Sequence, residues 1–417
     1  MSWPFSDYLA ARWLTLVGTF AMVASAAAHQ PVAKLPEFVA ATTEATPVRG
    51  QVIALTKDGS VKFTDPALGV PAGSLIALRR ADRPLPPWPR GPQVILANGD
   101  RLAGAVVGGD AQAVRLRPDL SAAGEMDFVR LPLTALAAIW VTSPPGDTPP
   151  DPAAYAWATG PKRRDALLLR NGDTVRGAIA SFTETLPPTA RVKSDADPLP
   201  TAHPFTGVSA LAFDPTLARV RKPKGPYARL VLADGSRISV TDATSNGVTL
   251  SATTLFGAAL QVRVADVIAY DVLQGKATYL SDLKPKTTKT EPFNGVAWPW
   301  VADRSAKGNP LRLGDSTHDK GIGTHPRTTL TYDLNGKYRR FEALVGLDSV
   351  TGRRGAAEVR VHVDGKEVLV EAVNGGDAAK PVSVDVAKAK QLTLIVGFGL
   401  GGDVQADVNW ADARLVE

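Results

Sequence analysis

Hydrophobic residues along most of the chain alternate with polar ones in short runs, which are separated by Gly, Asn, Asp and Pro. Such runs are typical of β-strands joined by tight turns. Long stretches with a helical period are absent after the first 30 residues or so. The 37 Gly and 33 Pro among 417 residues also favour many turns over long helices. We therefore predict an all-β protein.

The region from residue 47 to 273 repeats one short pattern, an apolar strand, a tight turn and a second strand. Asn-Gly and Asp-Gly supply the positive φ angles that two-residue hairpin turns need. The pattern predicts four small degenerate β-barrel-like repeats at residues 47–82, 92–142, 165–215 and 226–274. Their turns are Lys57-Asp58-Gly59-Ser60, Asn98-Gly99-Asp100, Asn171-Gly172-Asp173 and Asp234-Gly235-Ser236.

The segments between these repeats are predicted to be linkers. Residues 29–46 are small and polar without periodicity, which indicates a flexible linker. Residues 83–92 hold five prolines, and so do residues 144–152 within a Pro-rich linker at 143–164. Because proline cannot donate a hydrogen bond to a sheet, we expect both proline-rich segments to be semi-rigid spacers.

The last unit, residues 277–417, has regularly spaced strands with Gly and Asn turns. Seven antiparallel strands at this spacing predict a jelly-roll β-sandwich. A charged, Thr-rich spacer or loop is expected at residues 284–292. The predicted strands are Thr329–Leu334, Arg340–Leu347, Ala357–Val363, Lys366–Glu371, Val382–Asp385, Gln391–Phe398 and Val408–Leu415, with a hairpin turn at Asp364-Gly365.

One stretch of this unit concentrates glycine, histidine, aromatic and acidic residues. Gly321-Ile322-Gly323-Thr324-His325 leads into a strand, an Asn335-Gly336 turn and a second strand that ends at Asp348. The pattern predicts a β-hairpin whose leading loop holds His325 close to the backbone.

The N-terminus resembles a secretory signal. Arg12 precedes an apolar run, and small residues follow through Ala28. We predict a signal peptide at residues 1–28 and a secreted, periplasmic or cell-surface protein, with an uncleaved anchor as the alternative. No later stretch reaches the length of a membrane span, so no further membrane contact is expected.

Charge and composition exclude several classes of function. The net charge of +6 is scattered rather than gathered in a stripe, so nucleic acid is not an expected partner. The absence of cysteine excludes disulfides, thiolate zinc sites and cysteine nucleophiles. Metalloprotease, phosphate-loop, dinucleotide and nucleophile-elbow motifs are also missing from the sequence. We expect no enzymatic activity.

The last unit resembles the NPCBM family of carbohydrate-binding modules, which have a galactose-binding-like jelly-roll fold. The resemblance rests on phrases in the family's order across nearly all of the last 140 residues. They are Tyr279-Leu280-Ser281-Asp282-Leu283, Gly321-Ile322-Gly323-Thr324-His325, Tyr332-Asp333-Leu334, Tyr338 with Phe341, Val345-Gly346-Leu347-Asp348, Val361-His362-Val363-Asp364-Gly365-Lys366, and Asp407-Val408-Asn409-Trp410-Ala411-Asp412-Ala413.

This resemblance implies sugar binding, with galactose-type sugars as the better-known ligands, and it does not imply catalysis. Members often have a His near the position of Trp410, where this chain has Val408 and Asn409. The middle repeats more weakly resemble Sm-like and SH3-like barrels, some of which bind RNA. A structural or adhesive role is the other interpretation of those repeats.

A sugar site needs a flat aromatic face for the C–H side of the ring and polar groups for its hydroxyls. The candidate aromatic platforms are Trp298, Trp300 and Trp410, of which Trp410 lies in a strand pattern that also suits a core residue. His325 is the candidate donor and Asp348 the candidate acceptor, although either residue could instead cap a turn.

Galactose-binding-like folds often hold a structural calcium, so the resemblance also suggests a metal site. The candidate ligands are Asp282, Asp407 and Asp412, because the first and last strands of such sandwiches are often neighbours. The alternative is that all three are surface carboxylates.

The sequence thus predicts a secreted, non-catalytic carbohydrate-binding protein, with the upstream repeats as scaffold or as a surface for protein partners. One alternative is a cell-surface interaction protein whose jelly roll binds protein. The other is an unrecognised hydrolase in the repeat region, although a glycosidase needs two carboxylates that flank one cleft and no region outside the last unit is large or acidic enough to suggest them.

Overall fold

A computed structural model describes residues 35–120, 128–144, 155–159, 164–194, 199–221, 223–291, 298–351 and 354–417. The predicted signal peptide and the first residues of the predicted linker, 29–34, lie outside this part of the chain. The described residues are almost entirely β-structure, which confirms the predicted fold class. Among them, no helix is long and apolar enough to cross a bilayer.

The described residues between 37 and 273 form twenty strands in four groups of five, here called modules 1 to 4. Module 1 has β1 Glu37–Thr42, β2 Val48–Leu55, β3 Val61–Phe63, β4 Gly69–Val70 and β5 Leu75–Arg80. Module 2 has β6 Gln93–Leu96, β7 Arg101–Gly109, β8 Ala113–Pro118, β9 Val129–Pro132 and β10 Leu136–Trp140.

In the other two modules, as in the first two, the second strand is the longest. Module 3 has β11 Asp165–Leu169, β12 Thr174–Thr183, β13 Thr189–Ser194, β14 Thr201–Pro204 and β15 Val208–Ala212. Module 4 has β16 Tyr227–Leu232, β17 Arg237–Ser245, β18 Thr249–Thr254, β19 Ala259–Arg263 and β20 Val267–Leu273. Short 3-10 turns precede the last strand of modules 2 to 4, at Leu133–Ala135, Phe205–Gly207 and Val264–Asp266, and one more lies at Pro215–Leu217.

Within every module the first four strands pair in sequence order, and the fifth strand pairs with the first. Each module is therefore a small barrel that encloses its own apolar residues. Four further pairings among the described residues join the modules: β5 with β20, β10 with β15, and single-residue pairings of β17 with β2 and with β7. Modules 1 and 4 consequently share one continuous sheet, as do modules 2 and 3.

The predicted linker at residues 29–46 is wrong for its second half, which contains β1. Phe38, Ala40 and Thr42 are buried at alternate positions, and β1 pairs with both β2 and β5. The small side chains of this strand gave little apolar contrast in the sequence. Module 1 therefore begins ten residues before the predicted start at residue 47, because its barrel needs β1 to close.

The proline-rich segment at residues 83–92 is not a spacer. Trp88 lies between two guanidinium groups, with its ring centroid 4.8 Å from Arg101 and 4.4 Å from Arg237. The backbone carbonyls of Pro86 and Pro87 accept hydrogen bonds from Arg237 at 2.7 and 3.0 Å. These two proline carbonyls belong to no sheet and bind Arg237 instead. Together with the Trp88 ring, they hold this segment between modules 2 and 4.

The predicted linker at 143–164 is described only in part. Within it, Tyr155 and Trp157 pack against Trp140 of β10, with ring centroids 5.5 and 5.9 Å away. These aromatic contacts fix residues 155–159 on the surface of module 2, so this part of the interval is packed rather than free.

The C-terminal region is a two-sheet sandwich, as predicted. One sheet has the order β23-β26-β33-β28-β31, with β21 also pairing with β33, and the other has the order β22-β27-β32-β29-β30. The strands are β21 Ala277–Tyr279, β22 Thr287–Thr290, β23 Val301–Ala302, β24 Leu311–Leu313, β25 Ser316–His318, β26 Gly321–Thr324, β27 Thr328–Asp333, β28 Arg340–Leu347, β29 Ala356–Val363, β30 Lys366–Asn374, β31 Lys380–Asp385, β32 Gln391–Phe398 and β33 Val408–Val416. A 3-10 turn at Leu280–Asp282 follows β21, and β24 pairs with β25.

All seven predicted strands of this sandwich exist, and two have the predicted bounds. The predicted spacer at residues 284–292 is wrong, since β22 within it pairs with β27. The predicted hairpin around Asn335-Gly336 is also wrong. Its two strands, β27 and β28, belong to opposite sheets, so the turn carries the chain across the sandwich.

The modules and the sandwich form one compact unit from Leu35 to Glu417. Their contact contains a buried ion pair in which Arg237 of module 4 binds Asp319 of the sandwich through two hydrogen bonds, 3.0 and 3.1 Å long. Burial raises the pKa of Asp319, but nearby guanidinium groups, above all that of Arg237, outweigh this effect and hold the pKa below its ordinary value. The carboxylate is therefore ionised at neutral pH.

Candidate functional site

Three neighbouring strands of one sandwich sheet have one of their ends at the same rim of the sheet, here called the sandwich edge. In this sheet β33 lies between β26 and β28 and runs antiparallel to both. Val408, the first residue of β33, is opposite Thr324, the last residue of β26, and Leu347, the last residue of β28. The next residues outward are His325, Asp348 and Asp407, so the topology brings three polar side chains to one edge.

His325 lies between an aromatic ring and a carboxylate. Its imidazole is inclined by 30° to the Trp298 ring, with 5.9 Å between the ring centroids. Its Nε2 is 4.0 Å from Oδ1 of Asp407, whose side chain is only 3% exposed. Because β23 pairs with β26, Trp298 just before β23 is placed beside His325.

Beneath these residues lies a buried hydrogen-bond network. The Thr351 hydroxyl contacts Oδ2 of Asp348 at 2.9 Å and Oδ2 of Asp407 at 3.1 Å. Asn409 donates from Nδ2 to Oδ1 of Asp348 at 3.3 Å, and the Asp348 amide donates to the Asp407 carbonyl at 2.9 Å. The network fixes Asp407 and leaves its Oδ1 on the side of His325.

Asp348 was predicted to contact a sugar, but its side chain is fully buried. Burial raises the pKa of Asp348, and the neighbouring Asp407 adds to this effect, whereas hydrogen bonds from Thr351, the Val350 amide and Asn409 oppose it. Asp348 therefore supports the site from below instead of facing a ligand.

Trp298 presents a half-buried ring at the edge of the sandwich. The exposed Lys307 places its Nζ 3.5 Å from the centroid of this ring, a cation–π contact. Because the lysine stem is flexible and solvated, a ligand can displace it from the aromatic face.

The other two candidate platforms belong to the apolar interior. Trp410 is fully buried in the sandwich core, which is the alternative that its strand pattern allowed. Trp300 is partly buried and packs against the same core. Trp300 therefore does not join Trp298 and His325 as an open aromatic face.

The three carboxylates predicted as calcium ligands are not brought together. Asp282 accepts a hydrogen bond from Nζ of Lys320 at 2.6 Å, and Asp412 contacts Nδ1 of His318 at 2.9 Å. Asp407 lies just before β33, whereas Asp412 lies in the middle of that strand. Within the described ranges there is no group of three or more acidic or histidine residues that could hold a metal ion. These residues therefore do not fit a calcium site.

Three residues of this edge were missed by the sequence prediction, namely Lys307, Thr351 and Asn409. Thr351 and Lys307 lie in loops without any periodic pattern. Asn409 occupies a position where the resemblance led us to expect histidine nearby, and that departure was the one available signal. In the structure, the Asn409 side chain donates a hydrogen bond to Asp348.

Comparison with known proteins identifies the sandwich. Residues 276–416 match the NPCBM/NEW2 domain, which confirms the family expected for the C-terminal unit. A curated relative from Renibacterium salmoninarum, named "Putative endo-alpha-N-acetylgalactosaminidase", is 29% identical over 144 residues. The match covers 34% of this chain and 10% of that protein, so the chain spans about a tenth of the length of this relative.

Two solved structures from Clostridium perfringens are similar to part of this chain. The CBM51 module of GH95, in complex with methyl-galactose, is 28% identical, covers 34% of this chain and 99% of that one, and has a TM-score of 0.31. The CBM51-2 and INT domains of ZmpB, in complex with GlcNAc, are 27% identical, cover 40% of this chain and 36% of that one, and have a TM-score of 0.32.

Proposed function

We propose that the C-terminal sandwich, an NPCBM/NEW2 domain, binds a carbohydrate at the edge formed by Trp298 and His325. The chain is proposed to act as a secreted or cell-surface binding protein without a catalytic step of its own. The upstream modules hold the sandwich and offer further surface for protein partners.

The observation that carries this proposal is the pairing of an aromatic ring with a supported imidazole at one sheet edge. The Trp298 ring can cover the C–H face of a sugar, and His325 beside it can bond to a hydroxyl. Asp407 and Thr351 below them reduce the freedom of His325 before a ligand arrives. Such preorganisation lowers the entropic cost of binding.

A galactose-type sugar is the first ligand to test. The family resemblance implies such sugars, and the curated relative from Renibacterium salmoninarum is named "Putative endo-alpha-N-acetylgalactosaminidase". A glycan array probed with the full chain identifies the ligand class directly. The proposal requires at least one saturable glycan hit, and an array without hits at millimolar affinity would overturn it.

We expect His325→Ala to weaken binding of the array hit about tenfold, because a ligand hydrogen bond and the edge of the aromatic site are lost together. Isothermal titration calorimetry of the full chain measures this change. His362→Ala is the matched control, since His362 lies on β29 in the opposite sheet with a 24% exposed side chain next to Glu367. Equal affinities for the two variants would remove His325 from the site.

We expect Lys307→Ala to strengthen binding of the same glycan about twofold to fivefold. A sugar that stacks on Trp298 must displace the ammonium, and an exposed cation–π contact is worth about 0.5–1 kcal/mol. The same titration gives the result, with Lys366→Ala, an exposed lysine on β30, as the control. A loss of affinity in Lys307→Ala would show that the ammonium contacts the sugar instead of competing with it.

A further inference from the structure

A cavity of about 460 Å³ lies between modules 1 and 4, apart from the sandwich edge. Its wall includes Leu75, Tyr227, Val240, Thr241, Asp242 and Tyr270. We propose that this cavity is a second binding site, which takes an uncharged saccharide unit. The inference goes beyond the proposed function, because it assigns ligand binding to the upstream modules.

The cavity has the size and surface of a small-molecule site. Pockets that bury ligands are typically about 300–1,000 Å³, mostly apolar and lined by aromatic residues with a few polar groups. Here Leu75, Val240 and Val272 supply apolar wall, and two tyrosine rings supply aromatic faces. The combination suits the C–H face of a sugar ring.

The two tyrosines also bring hydroxyl groups to the cavity. Tyr227 is half-buried and Tyr270 is buried, yet neither hydroxyl bonds to another residue in the described part of the chain. Burial raises the pKa of Tyr270 to about 12, so this phenol is a donor at neutral pH. The Thr241 hydroxyl donates to the Thr253 carbonyl at 3.5 Å and can accept a further hydrogen bond, so the wall offers both donors and acceptors for a polyhydroxylated ligand.

A β-bulge turns an acidic residue into the cavity. In every module the second strand has one extra residue against the third, and in modules 1 to 3 it is Ile53, Val107 or Ala180. In module 4 the bulge contains Asp242, which has a left-handed backbone with a φ of 53°. Bulges redirect side chains and often lie beside binding sites.

Asp242 is exposed at the cavity wall and has no hydrogen-bond or ion-pair partner among the described residues. A carboxylate that lines an aromatic cavity without a protein partner is free to accept hydrogen bonds from ligand hydroxyls. Gln274, another wall residue with positive φ at 55°, donates from its side-chain amide to the carbonyls of Gly225 and Pro223, so it forms part of the wall and leaves Asp242 as the open acceptor.

The charges at the cavity select against a strongly charged ligand. Two lysines, Lys57 and Lys276, stand against the carboxylates of Asp58, Asp242 and Glu417. Lys276 and Glu417 form an ion pair, with 3.2 Å between Nζ and the carboxylate. Because charges of both signs lie along the wall, the electrostatic potential in the cavity is neither strongly positive nor strongly negative. This favours a neutral ligand over a phosphate or a polycation.

The test uses the full chain labelled with fluorotyrosine and observed by fluorine NMR. The seven tyrosines give few resonances, and Tyr227→Phe and Tyr270→Phe assign the two that report on the cavity. Lactose, cellobiose, maltose and diacetylchitobiose are titrated separately. We expect at least one sugar to shift a cavity resonance saturably, in the wild type and equally in Trp298→Ala.

Asp242→Ala should then weaken this response about tenfold, because a hydrogen bond to a charged group is lost. Asp65→Ala, an exposed carboxylate outside the cavity wall, should leave it unchanged. If neither resonance shifts with any of the sugars, the second site is overturned. Shifts that occur in the wild type but vanish in Trp298→Ala would overturn it too. A proline-rich peptide is titrated in the same way. If it shifts a cavity resonance and no sugar does, the proposed ligand class is wrong. None of these outcomes affects glycan binding at the sandwich edge, which the array measures separately.

Discussion

Replacing Arg237 by alanine should lower the free energy of unfolding by about 3–5 kcal/mol, the usual cost of breaking a buried ion pair on one side. The Arg237 side chain is 0% exposed and that of Asp319 is 3% exposed. Removing the guanidinium leaves Asp319 ionised and buried without its main partner. It also removes donors from the carbonyls of Pro86, Pro87 and Gly235.

Urea unfolding of the full chain measures this loss. Arg49→Ala is the matched control, because Arg49 and Glu37 form an exposed pair, with side chains 63% and 43% exposed, and an exposed ion pair contributes little to stability. The double variant Arg237→Met, Asp319→Leu should be more stable than Arg237→Ala, since it leaves no buried charge unpaired. Similar losses for Arg237→Ala and Arg49→Ala would contradict the role given to this ion pair.

The ion pair between Arg237 and Asp319 changes the role assigned to the upstream modules. They were expected to be spacers or scaffold, yet Arg237 connects module 4, the proline-rich segment at residues 83–92 and the sandwich. Asp319 lies two residues before β26, whose other end carries His325. The modules therefore hold the strand that positions the proposed sugar site.

Trp298→Ala should weaken glycan binding by about 2 kcal/mol or more, roughly thirtyfold, because aromatic residues at the centre of a site contribute most of its binding free energy. The ring is half-buried beside His325 and supplies the flat surface of the proposed site. Truncation removes that surface and also the packing that keeps His325 in place.

Calorimetry with the glycan found on the array gives the affinity of this variant. Trp157→Ala is the matched control, since Trp157 is also half-buried but packs on Trp140 in module 2. Both variants should show cooperative unfolding, which separates loss of the site from loss of the fold. Unchanged affinity in Trp298→Ala would place the sugar elsewhere.

Strands were predictable from sequence wherever apolar and polar residues alternate strongly. The limits of β28 and β32 follow from such alternation, and both were predicted as observed. β1 and β22 were missed, because small residues in one and Thr and Lys in the other give little apolar contrast. A local pattern also could not tell that Asn335-Gly336 joins two sheets.

The site was predictable only in part, for the same physical reason. Glycines and the family resemblance pointed to His325, and two aromatic candidates in one loop included Trp298. Which tryptophan is open depends on packing, since Trp300 and Trp410 are equally aromatic but contact the core. The Thr351 bridge joins residues far apart in sequence, so no local spacing could reveal it.

The most direct test of sugar binding at the sandwich edge follows the Trp298 side chain itself. The full chain, labelled with fluorotryptophan, is titrated with the array glycan while fluorine NMR follows the resonance assigned through Trp298→Phe. We predict that this resonance moves saturably with the affinity found by calorimetry, while that of the buried Trp410 stays in place. A glycan that binds the chain without moving the Trp298 resonance would contradict the account.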